Sequence, residues 1–121
     1  MATNYSQKGE VIDFTNGTGS DIASGEVVVV GNLVGVAITD IADTEIGAVG
    51  IEGVWELPKV SAAVIGAGET VNWDDSVSAF DDNQATPATD DLTGGCVAVA
   101  AAGNGDTTVL VKINVGANTV N

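Results

Sequence analysis

The sequence predicts an all-β fold: a small antiparallel barrel or sandwich with glycine-rich turns and at most one or two short helical turns. Valine is the most frequent residue, and its branched side chain suits a pleated strand. Apolar and polar residues alternate in several stretches, which is typical of strands with one buried face. The 16 glycines often stand directly before an apolar run. Many short strands separated by glycine turns indicate a barrel or a sandwich.

Alternation with a period of two locates individual strands. Residues 50–57 and 107–115 both alternate in this way, so each is predicted to have one face on a core. A third stretch places Val71 and Trp73 on one face and Asn72 on the other. Both tryptophans of the chain fall on inward positions of this pattern. We therefore predict core roles for them.

Glycines mark the predicted turns. Four glycine–acid pairs are predicted to be strand entrances, with glycine supplying a positive φ: Gly9-Glu10, Gly25-Glu26, Gly68-Glu69 and Gly105-Asp106. Gly31 and Asn32, between two valine-rich runs, predict a two-residue hairpin turn. Residues 40–45 and 75–82 are each long enough for one helical turn. Residues 81–91 are polar and lack periodicity, which predicts an exposed loop.

Four consecutive valines, Val27, Val28, Val29 and Val30, do not alternate with polar residues. A continuous apolar strand is expected where both of its faces are covered. In a chain with almost no helix, one face can meet the core, while the other needs a loop, a helical turn or a neighbouring subunit. Left bare, that face would promote aggregation. We therefore predict that the chain self-associates, with these four valines as candidate subunit contacts.

The charge balance restricts the partners. Seventeen acidic residues face three lysines, and the formal net charge is −14. Nucleic-acid binding draws on Lys and Arg that neutralise phosphates, so nucleic acid is not expected as a partner. Anionic membranes are disfavoured for the same reason. The acidity is interpreted as a source of solubility and repulsion between copies; a basic partner surface and a saline habitat remain alternatives.

No catalytic or cofactor-binding motif is found. None of the lysines follows a glycine, as a phosphate-binding loop requires, and the chain has no histidine to activate a nucleophile. The single cysteine, Cys96, is predicted to be a buried thiol. Three aspartate pairs, at positions 74–75, 81–82 and 90–91, are interpreted as solvated loop acids, because the calcium-loop spacing is absent. We predict no enzyme activity, no cofactor and no metal site.

The predicted organisation is a flexible N-terminal arm, residues 1–8, followed by a single β-barrel-like domain, residues 9–121. The arm is polar and is expected to order only against another surface. The N-terminus has no apolar core of the kind that a signal peptide needs, so synthesis in the cytoplasm without classical export is expected.

The chain resembles a family of phage and prophage capsid decoration proteins, also called capsid cement proteins. The resemblance begins at Met1-Ala2-Thr3-Asn4-Tyr5 and runs almost end to end. Its most specific parts are Glu52-Gly53-Val54-Trp55-Glu56-Leu57-Pro58-Lys59 and Gly68-Glu69-Thr70-Val71-Asn72-Trp73-Asp74. Trp55 replaces an expected phenylalanine, and Lys112 replaces an arginine that is common in the family.

The resemblance implies a β-rich homotrimer that binds the exterior of an assembled phage head and stabilises it, with the major capsid protein as partner. Within that reading, the polar arm is the candidate capsid contact, through Ala2, Thr3, Asn4, Tyr5, Ser6, Gln7 and Lys8. Some members carry a label as RecA-like phage recombinases, a function that the missing phosphate-binding loop and basic surface disfavour. A tail or baseplate component is a further alternative with the same composition.

Overall fold

The computed structural model describes Asn4, residues 9–83 and residues 85–121. Ten strands are formed in this part of the chain: β1 Val11–Thr15, β2 Val27–Val30, β3 Leu33–Ala37, β4 Ile46–Gly50, β5 Val54–Pro58, β6 Thr70–Asp74, β7 Ala79–Asp81, β8 Leu92–Ala98, β9 Thr108–Lys112 and β10 Thr119–Val120.

The strands form two antiparallel sheets. The first has the order β1-β4-β3-β2, and the second has the order β5-β9-β8-β6-β7, with β10 paired to β8. The all-β prediction is confirmed, and of its two alternatives the structure is the sandwich, because neither sheet closes into a barrel. The two stretches predicted to be long enough for a helical turn do not form one. Residues 40–45 contain the bridge residue Ile41 followed by a β-turn over 42–45, and residues 75–82 form a turn followed by β7.

The predicted turn chemistry is confirmed at the hairpin and at three strand entrances. Val30 pairs with Leu33 across Gly31, whose φ is +58°. Gly25, Gly68 and Gly105 also have positive φ. In each case the following acid donates its backbone N–H to the carbonyl three residues earlier. These bonds close β-turns that require a positive φ at their third position, which is why glycine stands there.

The two sheets repeat one strand arrangement. Strands β1, β2, β3 and β4 correspond in order and pairing to β5, β6, β8 and β9. Hydrogen bonds outside the ladders repeat as well: Ala37 is bonded to Gly25 and Glu26 as Ala98 is to Gly68 and Glu69. The sequence shows only a few matching residues at these positions. The repeat therefore emerges from the backbone pairing.

Two apolar clusters hold the sandwich together. The larger lies between the sheets and includes Trp73, Phe80, Leu92 and Val111 from the second sheet with Val34 and Val36 from β3. The smaller cluster lies on the opposite face of the first sheet: Ile22, Val28, Ala37, Ile41 and Val49. Leu57, Val71, Trp73 and Val111 are buried as the alternation predicted.

Three details differ from the alternation. Residues 50–57 are not one strand, because the chain turns between β4 and β5 at Gly53, whose φ is +107°. Val115 lies beyond the end of β9 and is exposed. Asn72, predicted to face solvent, is fully buried, and its amide is satisfied there by donating to the Asn83 side-chain oxygen at 2.6 Å. Alternation alone could not anticipate a partner in the following loop.

Candidate interaction surfaces

Both faces of the valine strand β2 are covered within the chain. Val27 and Val29 pack against the large cluster, whereas Val28 and Val30 belong with the small one. The second face is covered by the loops around Ile22 and Ile41, which are joined by an isolated bridge. Because these loops cover the second face, a neighbouring subunit is not needed to cover it. The subunit contact at Val27, Val28, Val29 and Val30 therefore stays a prediction. The lack of alternation in β2 no longer supports it, because residues of the same chain already cover both faces of the strand.

Of the predicted capsid-contact arm, the structure describes only Asn4, which is exposed. The other arm positions, Ala2, Thr3, Tyr5, Ser6, Gln7 and Lys8, lie outside the described residues. The arm precedes β1, which is an edge strand of the first sheet. The capsid contact thus stays a prediction.

Lys59 is buried, although lysine rarely is. Its Nζ donates to the carbonyl oxygens of Val60 at 2.8 Å, Ser61 at 3.2 Å and Asp106 at 3.1 Å. All three ammonium protons thus have acceptors, so this lysine ties the end of β5 to the turn before β9. Its role is structural, and no pattern in the sequence distinguished it from an exposed lysine.

Asn16 occupies the position in the first sheet that corresponds to Lys59. It is also fully buried, and its amide donates to the carbonyls of Ser20 at 2.8 Å and Ile41 at 3.0 Å. Its side-chain oxygen accepts from the backbone and hydroxyl of Thr18. Both halves of the fold therefore use one buried polar side chain to hold the segment that follows the first strand.

Cys96 is buried, as predicted. Its Sγ lies 3.7 Å from Oδ1 of Asn118. Burial raises the pKa of the thiol, and hydrogen bonding with the Asn114 backbone and the Asn118 side chain opposes that shift only in part. The thiolate form is disfavoured, so this cysteine is a poor nucleophile.

The paired aspartates are not equivalent. Asp75 and Asp90 are exposed, as the loop interpretation predicted. Asp91 is buried, and this corrects the prediction for that residue: its carboxylate accepts the backbone N–H groups of Ala88 at 3.0 Å and Asp75 at 3.3 Å. Among the described residues, no group of three or more acidic, cysteine or histidine side chains is arranged to hold a metal ion.

The two tryptophans pack inward. Trp73 is 3% exposed and meets Phe80 edge to face at 5.1 Å between ring centroids, while Trp55 is half-buried against the large cluster. Trp73 also lines an open groove of about 530 Å³ together with Glu26, Val27 and Ser78. Its indole N–H is the one buried side-chain polar atom in the described chain without a hydrogen-bond partner.

The outer face of the second sheet carries adjoining apolar side chains, most of them exposed, that the sequence analysis did not single out. We call it the second-sheet face and define it by the apolar residues Val54, Val97, Val99 and Leu110 together with the charged residues Glu56 and Lys112. The signal was present in the alternation, since Val54 and Leu110 stand at positions predicted to face solvent. Exposed apolar residues that adjoin one another mark interaction surfaces more often than scattered ones do.

These features define a small acidic β-sandwich whose buried polar groups serve the fold and whose outer surface includes an apolar face. No helix in the described part of the chain is long and apolar enough to cross a membrane. The family model described as phage cement protein matches residues 6–113. The chain therefore belongs to the phage cement protein family, whose members are structural proteins of the phage capsid and not a class of enzyme. No curated protein matched the chain.

Proposed function

We propose that this protein binds the outer surface of an assembled phage head, with the major capsid protein as its partner, and stabilises the shell. The observation that carries the proposal is the family match over residues 6–113, nearly the whole chain. The packed two-sheet architecture agrees with such a structural role.

In this proposal, the binding energy comes from surface buried against several capsid subunits. A homotrimer would present each capsid contact three times, and linked contacts raise the overall affinity well above that of one contact. The polar arm is the proposed capsid contact, through residues 2–8. It precedes β1, which is an edge strand of the first sheet.

Electron microscopy of purified virions tests the proposal directly. We expect knobs of protein on the head exterior that disappear when the gene is deleted and return when pure protein is added to the deletion heads. Deletion heads should also release their DNA at a lower temperature than decorated heads. Protein confined to tails or baseplates would contradict the proposal, as would ATP hydrolysis or DNA binding by the pure chain.

Removal of residues 1–8 tests the arm. Because β1 begins at Val11, the shortened chain is expected to keep its fold and its unfolding midpoint in urea. Its binding to deletion heads should fall at least tenfold in a co-sedimentation titration. A matched control replaces the arm with a Gly/Ser segment of equal length, which keeps the length and removes the side chains. Undiminished binding by both chains would rule out the arm as the capsid contact.

A further inference from the structure

We propose that the second-sheet face is the surface through which one copy of this chain contacts another. The inference deepens the proposed function, since it rests on the self-association included there and assigns it to a particular surface.

The members of the second-sheet face are direct neighbours. Val54 and Val97 both pair with Lys112, so the three residues form one row across β5, β9 and β8. In the adjacent row, Glu56 pairs with Leu110, whose carbonyl accepts the N–H of Val99.

Three of the four apolar side chains of these rows are exposed, whereas Val97 is half-buried. The exposed fractions are 52% for Val54, 40% for Leu110 and 43% for Val99. Burying such side chains stabilises a contact by about 25 cal/mol per Å² of apolar surface removed from water.

The distribution of charge on the surface indicates that the partner at this face is a second copy of the chain. All 17 acidic residues lie in the described part of the chain, and Glu56 is the one that stands in the two strand rows of this face. Lys112 is the exposed lysine of the described residues, since Lys59 is buried. The two rows therefore carry no net charge, although Asp106 lines an open pocket at their edge with Glu56 and Leu110, whereas the described chain as a whole is strongly acidic. Two chains of charge −14 repel each other least when they meet at a neutral face.

Lys112 also makes this face electrostatically complementary to an acidic partner. No ion pair joins its ammonium to a carboxylate within the described chain, in which most exposed charges are negative. When two copies meet through this face, Glu56 of the second copy offers Lys112 a carboxylate. A partly desolvated Lys–carboxylate pair at such a contact favours binding of the acidic partner over others.

The corresponding face of the first sheet shows that this position can accept a covering group. Gly50 corresponds to Lys112, and it is buried beneath Trp55, which leaves so little room that a Cβ at Gly50 would lie 2.9 Å from the indole ring. The second sheet therefore covers this part of the first sheet within one chain. No element of the described chain covers the equivalent position of the second sheet.

The variant Leu110→Asp tests the proposal by placing a charge in the middle of the face. We expect its dissociation constant for self-association, measured by light scattering over a dilution series, to rise at least tenfold. Val11→Asp is the matched control, because Val11 is the first-sheet equivalent of Val54, is 41% exposed and gains the same charge. Circular dichroism and urea unfolding show whether either variant has lost its fold.

A second pair of variants keeps the test independent of any folding defect. Lys112→Glu should weaken association several-fold, whereas Lys112→Arg should leave it unchanged. A wild-type chain that stays monomeric up to millimolar concentration would overturn the proposal. Equal weakening by Leu110→Asp and Val11→Asp would also overturn it, because added charge alone would then account for the effect.

Head binding separates this inference from the proposed function. Wild-type protein that associates through the second-sheet face but does not bind deletion heads would refute the proposed function alone. A Leu110→Asp chain that still self-associates but no longer binds heads would assign the face to the capsid. That result would refute the inference and leave the proposed function standing.

Discussion

In the first sheet, β2 and β3 are joined by two residues, Gly31 and Asn32, whereas the equivalent strands of the second sheet, β6 and β8, are joined by β7 and a polar loop. The added strand brings Phe80 into the large cluster. The first sheet instead covers its outer side with two short loops and has the smaller cluster. The same strand arrangement thus contributes most of the large cluster in the second sheet. In the first sheet it forms a layer that packs against that cluster and carries the smaller one.

The two halves also distribute side-chain volume differently over equivalent positions. In the first sheet, Ile41 fills the space above Gly47, where an added Cβ would clash with the Ile41 side chain. The equivalent residues of the second sheet are Ala102 and Val109, so the larger side chain lies on the strand instead of the loop. The shared backbone arrangement therefore fixes the total side-chain volume at this site, but not how that volume is divided between the loop residue and the strand residue.

The largest expected effect concerns the two buried polar residues. Lys59→Met should lower the free energy of unfolding by about 4 kcal/mol, because three carbonyls lose a charged donor in a buried site. Asn16→Ala should cost about 2 kcal/mol, since its donors are neutral. Urea unfolding measures both, with Lys112→Met in dilute protein as the exposed-lysine control. Equal losses at the two sites would show that the lysine charge adds nothing.

Moving side-chain volume from the loop position 41 to the strand position 47 tests whether the two positions share one space. Gly47→Val should cost about 3 kcal/mol of stability by overpacking against Ile41. Adding Ile41→Ala gives the first sheet the alanine and valine that the second sheet has at these positions. The double variant should lose less stability than the two single variants lose together, by about 1 kcal/mol or more. Additive losses in a urea-unfolding cycle would mean that the two sites do not share their volume.

A smaller effect is expected at the turns that precede β4 and β9. Thr44 has a φ of +72°, and the glycine at the equivalent turn position, Gly105, has a φ of +96°. Because a β-branched residue is strained in this region, Thr44→Gly should raise stability by about 1 kcal/mol. The reverse change, Gly105→Thr, should lower it by a similar amount. Thermal unfolding of both variants checks the pair, and a loss at both positions would refute the strain argument.

The smallest effect involves β7, which only the second sheet contains. Desolvation, together with repulsion from Asp82 and Asp74, raises the pKa of Asp81 above its usual 3.8. The folded protein therefore binds this proton more readily than the unfolded chain, so ionised Asp81 opposes folding at neutral pH. Asp81→Asn should be slightly more stable at pH 7, and its advantage should vanish as the pH falls toward 3.8. An advantage that persists in acid would contradict this.

Local rules were enough to predict the all-β class, several strands and the main turns. Val109 and Val111 fall on the inward positions of the alternating stretch 107–115 and are buried, and Gly31 takes the positive φ that a hairpin turn requires. Such features depend on residues a few positions apart, so they can be read directly from the chain. The family resemblance carried by the string that ends at Lys59 was also accessible, and the family match confirms it.

Buried polar residues could not be predicted, because their partners are distant in sequence. Lys59 is bonded to the carbonyl of Asp106, 47 residues away, and Asn118 Nδ2 donates to that of Asn32, 86 residues away. The repeated strand order was equally hidden, since the pairing is conserved in the backbone while most of its side chains differ. A sequence pattern contains no information on which loop will meet such a residue.

The residue pattern was enough to identify this chain as an acidic all-β protein with glycine turns, since strand alternation and turn conformation are local properties of the residues. What covers each strand was visible in the folded chain alone. The fold placed Ile22 and Ile41 over the second face of the valine strand, and it left the outer face of β5 and β9 open. The physical reason is that burial depends on contacts between segments far apart in the chain, which no local pattern specifies.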